Sequence, residues 1–247
     1  MKKIQLSIVA MLLLGAVACK KTLNSAANIN ANVSSADAAD MVAGSLSSNS
    51  NGIVNFSDDA TLDAISFIRL HVACGTVKAD TISRHSAAGA ATTYSYNLTY
   101  NYMVNCSNNV PDSLSSKLVY SGSFSGPNLS STNSGSSIFT VNGLLPTATN
   151  FVINGEYKQN GSFQSKVDTA KHGNNNIDIV VKGLTITKPA RTVAGGTATI
   201  SISGDTPKKG SFSYTGTLVF NGNGTATLTL NAKVYTINLS TGERHDG

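Results

Sequence analysis

The chain has no tryptophan, only two glutamates (Glu156 and Glu243), three cysteines, and charged residues at just 13% of positions. Each scarcity excludes something. Without tryptophan, a flat sugar-stacking platform loses its usual side chain. With so little glutamate, a good helix former is missing, and the abundant Thr, Val and Ile favour strands instead. The net charge of +5 comes from scattered Lys and Arg, whereas a nucleic-acid footprint needs them clustered, so no nucleic-acid partner is expected. No G-x-S-x-G, H-E-x-x-H, P-loop or dinucleotide-binding glycine motif occurs in a strand–helix context, and the common hydrolase, zinc-protease and nucleotide signatures are therefore missing.

The longest apolar run, Ile4–Val17, is too short to span a bilayer core, which takes about 20 residues. With Lys2 and Lys3 ahead of it and Ala16-Val17-Ala18 after it, the run has the layout of a secretory signal peptide cut before Cys19. Small residues directly before a cysteine resemble the lipobox of bacterial lipoproteins, with Ala16 where Leu is usual. That resemblance covers Met1 to Lys21 and implies a lipid anchor on Cys19. Cysteine parity agrees, because acylating Cys19 leaves Cys74 and Cys106 as an even pair in an oxidising compartment. Several acyl tails at about 0.8 kcal/mol per buried CH2 make such an anchor effectively permanent. Lys20 rather than Asp after the cysteine implies an outer-membrane destination. The lack of Asp or Glu before Asp37 favours its periplasmic face over the cell surface.

Removing residues 1–18 leaves 229 residues and a net charge of +3, ample for one β domain. We expect a flexible tether over 19–34, a short helical segment over 35–66 and an antiparallel β domain over 67–247. The first helix should run from Ala36 to Leu46 with Ser35 as N-cap, and FSDDATLDAI should form a second turn capped by Ser57. Asp58, Asp59 and Asp63 lack the twelve-residue loop that calcium binding requires, so no metal or cofactor is expected. The clearest strand is TYSYNLTYNYMVNC: Tyr94, Tyr96, Leu98, Tyr100, Tyr102 and Val104 alternate with small polar residues. Further strand candidates follow at short spacing, NFVINGEYKQ and GSFQSKV among them, with hairpin turns at NGNG (221–224) and Asn231-Ala232. Nothing helical separates them, which excludes parallel crossovers. The fold class is mainly β: one curved antiparallel meander of about ten strands, a partly open barrel or sandwich, with one or two N-terminal helices.

A glycine recurs after two strand formers and a polar residue, at Gly122, Gly143, Gly155, Gly183 and Gly216. Aligned across neighbouring strands, these would form a lane along which the sheet curls. Alternation over IRLHVAC places Cys74 on an apolar strand face with Ile68, Leu70 and Val72, and Cys106 continues the tyrosine face, so both thiols point inward as a disulfide requires. The rival is a metal site of His71, Cys74, His85 and Cys106. The tyrosine stripe Tyr94, Tyr96, Tyr100 and Tyr102 is either a half-buried core face or a set of ligand-facing aromatics for sugar rings. Glu156 and Asp178 stand on separate strands, where they could face each other as a glycosidase-like pair. Asp80-Thr81-Ile82, Asp112-Ser113-Leu114 and Asp168-Thr169-Ala170 resemble an envelope O-glycosylation signal.

The expected role is a non-catalytic envelope module, structural or interacting with a protein or glycan partner. Two alternatives stand beside it. One is a carrier for an acyl chain in the curved sheet, resembling half-barrel lipoprotein carriers in architecture only. The other is a glycan-binding accessory lipoprotein using the tyrosines or the Asn/Ser/Thr-rich faces.

Overall fold

A computed structural model of the chain describes residues 33–207 and 209–247. Two helices come first, α1 (Ser35–Leu46) and α2 (Ile53–Arg69), separated by a 3-10 turn at Ser48–Ser50. The cap of α1 lies one residue earlier than expected. The Ser34 hydroxyl accepts from the Asp37 backbone N–H, and the Asp37 carboxylate accepts from the Ser34 N–H, a reciprocal capping box. Ser35 is free to accept from the Tyr235 hydroxyl at 2.8 Å instead. Val33 is buried and its carbonyl takes a hydrogen bond from Tyr214, so the folded body begins before the expected tether ends.

The second helix corrects the expectation more. It begins after Gly52, and Ser57 is a buried interior residue whose hydroxyl has no hydrogen-bond partner. The apolar positions Ile53, Phe56, Ala60, Ala64 and Phe67 recur at three- and four-residue steps and are all buried. That stripe, rather than the acidic first turn, sets the helix extent. Helix continues through Arg69, and residues 70–76 form a loop in which Leu70 is 64% exposed. The strand expected over IRLHVAC is absent, and the β region begins at Val77.

Eleven strands then form one sheet in simple sequence order, every neighbour antiparallel. The first five are β1 (Val77–His85), β2 (Thr93–Ser107), β3 (Val110–Ser125), β4 (Leu129–Asn142) and β5 (Asn150–Ser165). They continue as β6 (His172–Thr187), β7 (Val193–Thr206) and β8 (Gly210–Phe220). The short strands β9 (Thr225–Leu230), β10 (Lys233–Asn238) and β11 (Arg244–Asp246) finish the sheet. The two segments NFVINGEYKQ and GSFQSKV are one strand, β5, because Gly161 keeps its place in both ladders. Asn231 and Ala232 turn β9 into β10 with φ of 47° and 68°, the twist a two-residue hairpin favours.

Both helices lie on one face of the sheet. α2 packs on β2–β5, and α1 touches β4 and β5 as well as β9–β11. Backbone hydrogen bonds from Ser48 and Asn49 to Leu239 and Ser240 join the 3-10 turn to the β10–β11 connection. The sheet therefore curls round its own helices, while β1 and β11 remain unpaired edges. This is the curved meander that the alternation predicts, open rather than closed.

Cys74 and Cys106 form a disulfide, with Cα atoms 5.8 Å apart and a sequence separation of 32. Cys74 reaches it from the loop between α2 and β1, not from a strand face. The bridge excludes the alternative metal set, and His71 has a left-handed backbone in that loop. Replacing both cysteines by serine should cost about 3–4 kcal/mol through loop entropy. A thermal melt checks this, with an expected Tm drop of roughly 10 °C.

Candidate functional site

The core face of β2 is where the four tyrosines fall, and the helices cover it. Tyr96, Tyr100 and Tyr102 are buried, and Tyr100 and Tyr102 stack at 5.2 Å. As ligand-facing aromatics these three are corrected: they are core, placed there by the period-two alternation with Leu98 and Val104. Tyr94 is half-buried at the start of the strand. Phe56 of α2 lies 5.4 Å from the Tyr120 ring, whose hydroxyl donates to Tyr157, which in turn donates to Gln159. The interior of the curl is filled by aromatic rings and by polar groups that are mostly hydrogen-bonded to one another, the Ser57 and Tyr102 hydroxyls being exceptions. The carboxylates of α2 are likewise engaged: Asp58 with Arg191, Asp59 with Arg84 and Asp63 with Lys78.

The expected glycine lane does not form. Gly155 sits at a register shift with φ of 152°, Gly183 lies within another, and Gly143 follows the end of β4. A different lane crosses the core face: Gly122 pairs with Asn133, Asn133 with Gly161, Gly161 with Asn175 and Asn175 with Gly204. The rings of Tyr96 and Phe212 fold over Gly122 and Gly204, filling the space a Cβ would take.

On the opposite face, directly behind that lane, the sheet is hollow. Two adjoining depressions of about 920 and 610 Å³ run across β2–β7. Two cross-strand rows flank the lane: the first lines the larger depression across β2–β7, together with a further row of Thr93, Ser125, Ser130, Gln164 and His172, and the second lines the smaller depression over β2–β5. The first is Ser95, Ser123, Thr132, Ser162, Asn174 and Asp205. The second is Asn97, Ser121, Ser134, Asn160, Asn176 and Ser203, extended on its flanks by Ser83 and Ser213. Across both rows on β2–β7 the only charged side chain is Asp205, and none is apolar. Tyr94 also lines the larger depression.

The rest of this outer face is different. Lys117, Glu156, Lys158, Asp178 and Lys182 all lie in the rows nearer the β2–β3 turn, together with the exposed Val119 and Ile138. Glu156 and Asp178 are thus brought onto one face. Lys158 stands between them, 2.8 Å from Glu156 and 4.0 Å from Asp178. Partial burial, and then the neighbouring Glu156 carboxylate, push the Asp178 carboxyl above its usual range. The pair lies outside both depressions.

One further hollow, of about 270 Å³, is apolar and sits at the end of α2 between Phe67, Val72, Val104 and Leu144. Cys19 lies outside the described residues, as do positions 1–18 and most of the expected tether. Among the described residues no helix is long and apolar enough to cross a membrane. The polar rows were legible strand by strand as alternating Ser, Thr and Asn. Their alignment into a hollow was not, because it depends on register. No protein-family model matches the chain, and no match was found among curated proteins or solved structures.

Proposed function

We propose that the protein is a non-catalytic interaction module of a bacterial envelope, held at the outer membrane by a lipid on Cys19 and working through the exterior of its sheet. The filled interior carries this reading: α1, α2 and the tyrosines occupy the concave face, so the accessible polar surface is the outer one. A disulfide tying the α2–β1 loop to β2 suits an oxidising compartment, and the periplasmic face remains the favoured side. The apolar hollow beside Phe67 and Leu144 supports a second reading, a carrier for one apolar chain, though at the end of the helix layer rather than within the curl.

Native mass spectrometry of the protein gently extracted from its own envelope separates the two. We expect a mature chain beginning at an acylated Cys19, with Cys74 and Cys106 oxidised and no added fatty acid. A co-purifying fatty acid would establish the carrier instead, and an unmodified thiol at position 19 would remove the anchor.

A further inference from the structure

We infer that the trough on the outer face is a binding site for a neutral, linear polysaccharide chain lying across β2–β7; this rests on the interaction-module reading and names its ligand. An exposed sheet face normally carries charge for solubility, as the other half of this face does with Lys117, Glu156 and Lys158. Apart from Asp205 and His172, the trough half instead presents hydroxyls and carboxamides, each of which can donate and accept. A ligand that hydrogen-bonds everywhere and carries no charge matches such a lining.

The lining argues against the other ligand classes. Polyanions call for Arg or Lys forks, and the rows hold none. A cation would need converging carboxylates, and Asp205 stands alone among the row residues. An acyl chain would need an apolar lining, and an extended peptide seeks a free strand edge rather than the face of a sheet.

Dimension agrees as well. Six strands at about 4.8 Å span about 24 Å, and a polar side chain recurs at every strand, so an extended pyranose chain meets a fresh hydroxyl or amide at intervals close to its own repeat. Gly122 and Gly161 of the lane, which carry no side chain to fill the space, line the smaller depression directly.

The test is titration calorimetry of the full-length protein in detergent with the hexasaccharides of cellulose, mannan, xylan and starch, and with hexagalacturonate as the anionic control. At least one neutral hexasaccharide should bind and hexagalacturonate should not. Thr132→Lys and Asn160→Lys, both at exposed trough positions, should weaken binding at least tenfold. Thr199→Lys, on the charged half of the same face, should leave it unchanged. Binding to none of the four neutral chains, equal binding of the anionic one, or indifference to the two trough substitutions would overturn the inference. So would a dimer of the protein that those substitutions disrupt. An acylated Cys19 with no sugar bound would sink this inference alone, whereas shortened hexasaccharides would sink the non-catalytic reading.

Discussion

Above pH 10 the folded state should lose stability at roughly 7 kcal/mol per pH unit, from the five buried tyrosines whose phenols are raised furthest, at about 1.4 kcal/mol each. Burial pushes the Tyr96 phenol up to about 12. Tyr100, Tyr102, Tyr120 and Tyr157 are raised further, first by burial and then, for Tyr100 and Tyr102, by the carboxylates of α2. An unfolded chain releases these protons near pH 10, while the folded chain keeps them. The fold then binds more protons than the unfolded state, and stability falls as pH rises. Below pH 10 the contribution is fully present. For a domain of ordinary stability, about 5–15 kcal/mol, unfolding should fall between about pH 11 and pH 12. Circular dichroism and tyrosinate absorbance, followed together, check this. Of the eight tyrosines, five should ionise only as the sheet is lost. A smooth titration near pH 10 with the fold intact would mean that the helices do not seal the tyrosine face.

Asp59→Ala should cost about 3 kcal/mol, the lower end of the range for breaking a buried ion pair. Asp59 makes the more buried of the two ionic links between α2 and the edge strand β1, the other being Asp63 with Lys78. One carboxylate oxygen accepts from Arg84 Nη2 at 2.9 Å, and the other from Arg84 Nη1 at 3.1 Å and the Tyr100 hydroxyl. The Asp59 and Arg84 side chains are only 15% and 25% exposed. Removing the carboxylate leaves the half-buried guanidinium with the neutral Asn51 Oδ1 as its remaining side-chain acceptor, at 3.0 Å, and leaves a buried phenol without its acceptor. Tyr100→Phe removes only a donor and should cost about 1 kcal/mol. In a double-mutant cycle, Arg84→Ala added to Asp59→Ala should cost much less than it does alone. Urea denaturation measures all four proteins. A loss under about 0.5 kcal/mol for Asp59→Ala would make this an ordinary surface pair and leave β1 held by its ladder to β2.

The acidic turn of α2 shows why local patterns mislead. Ser57 followed by Asp58 and Asp59 has the composition of a helix start. The carboxylates serve side-to-side contacts with Arg191 and Arg84 instead, partners 133 and 25 residues away. Nothing within ten residues of Ser57 records those partners. The stripe from Ile53 to Phe67 was present in the sequence and carried the truer signal, because a helix is held by the face it buries rather than by its propensity.

The hollow teaches a related lesson. Ser, Thr and Asn alternate visibly along every strand, so that one face would be polar was legible. That Gly122, Gly161 and Gly204 would share a lane, while Gly143, Gly155 and Gly183 would not, turned on register shifts at Ile153/Gly155 and Lys182/Thr185.

Sequence alone determined that this chain is a mainly-β antiparallel meander with helices ahead of it and that Tyr96, Tyr100 and Tyr102 share one face, and it favoured Cys106 as the partner of Cys74, which the structure bears out. Those properties follow from spacing two residues apart along a strand and from short connections, all of them local or countable. Only the tertiary structure decided the curl round α1 and α2, the pairing of Asp59 with Arg84, and the alignment of the polar outer rows behind the glycine lane. Each depends on how strands slide past one another. One residue of slip turns every side chain to the opposite face, and the turns and bulges that settle the slip leave no periodic mark in the sequence.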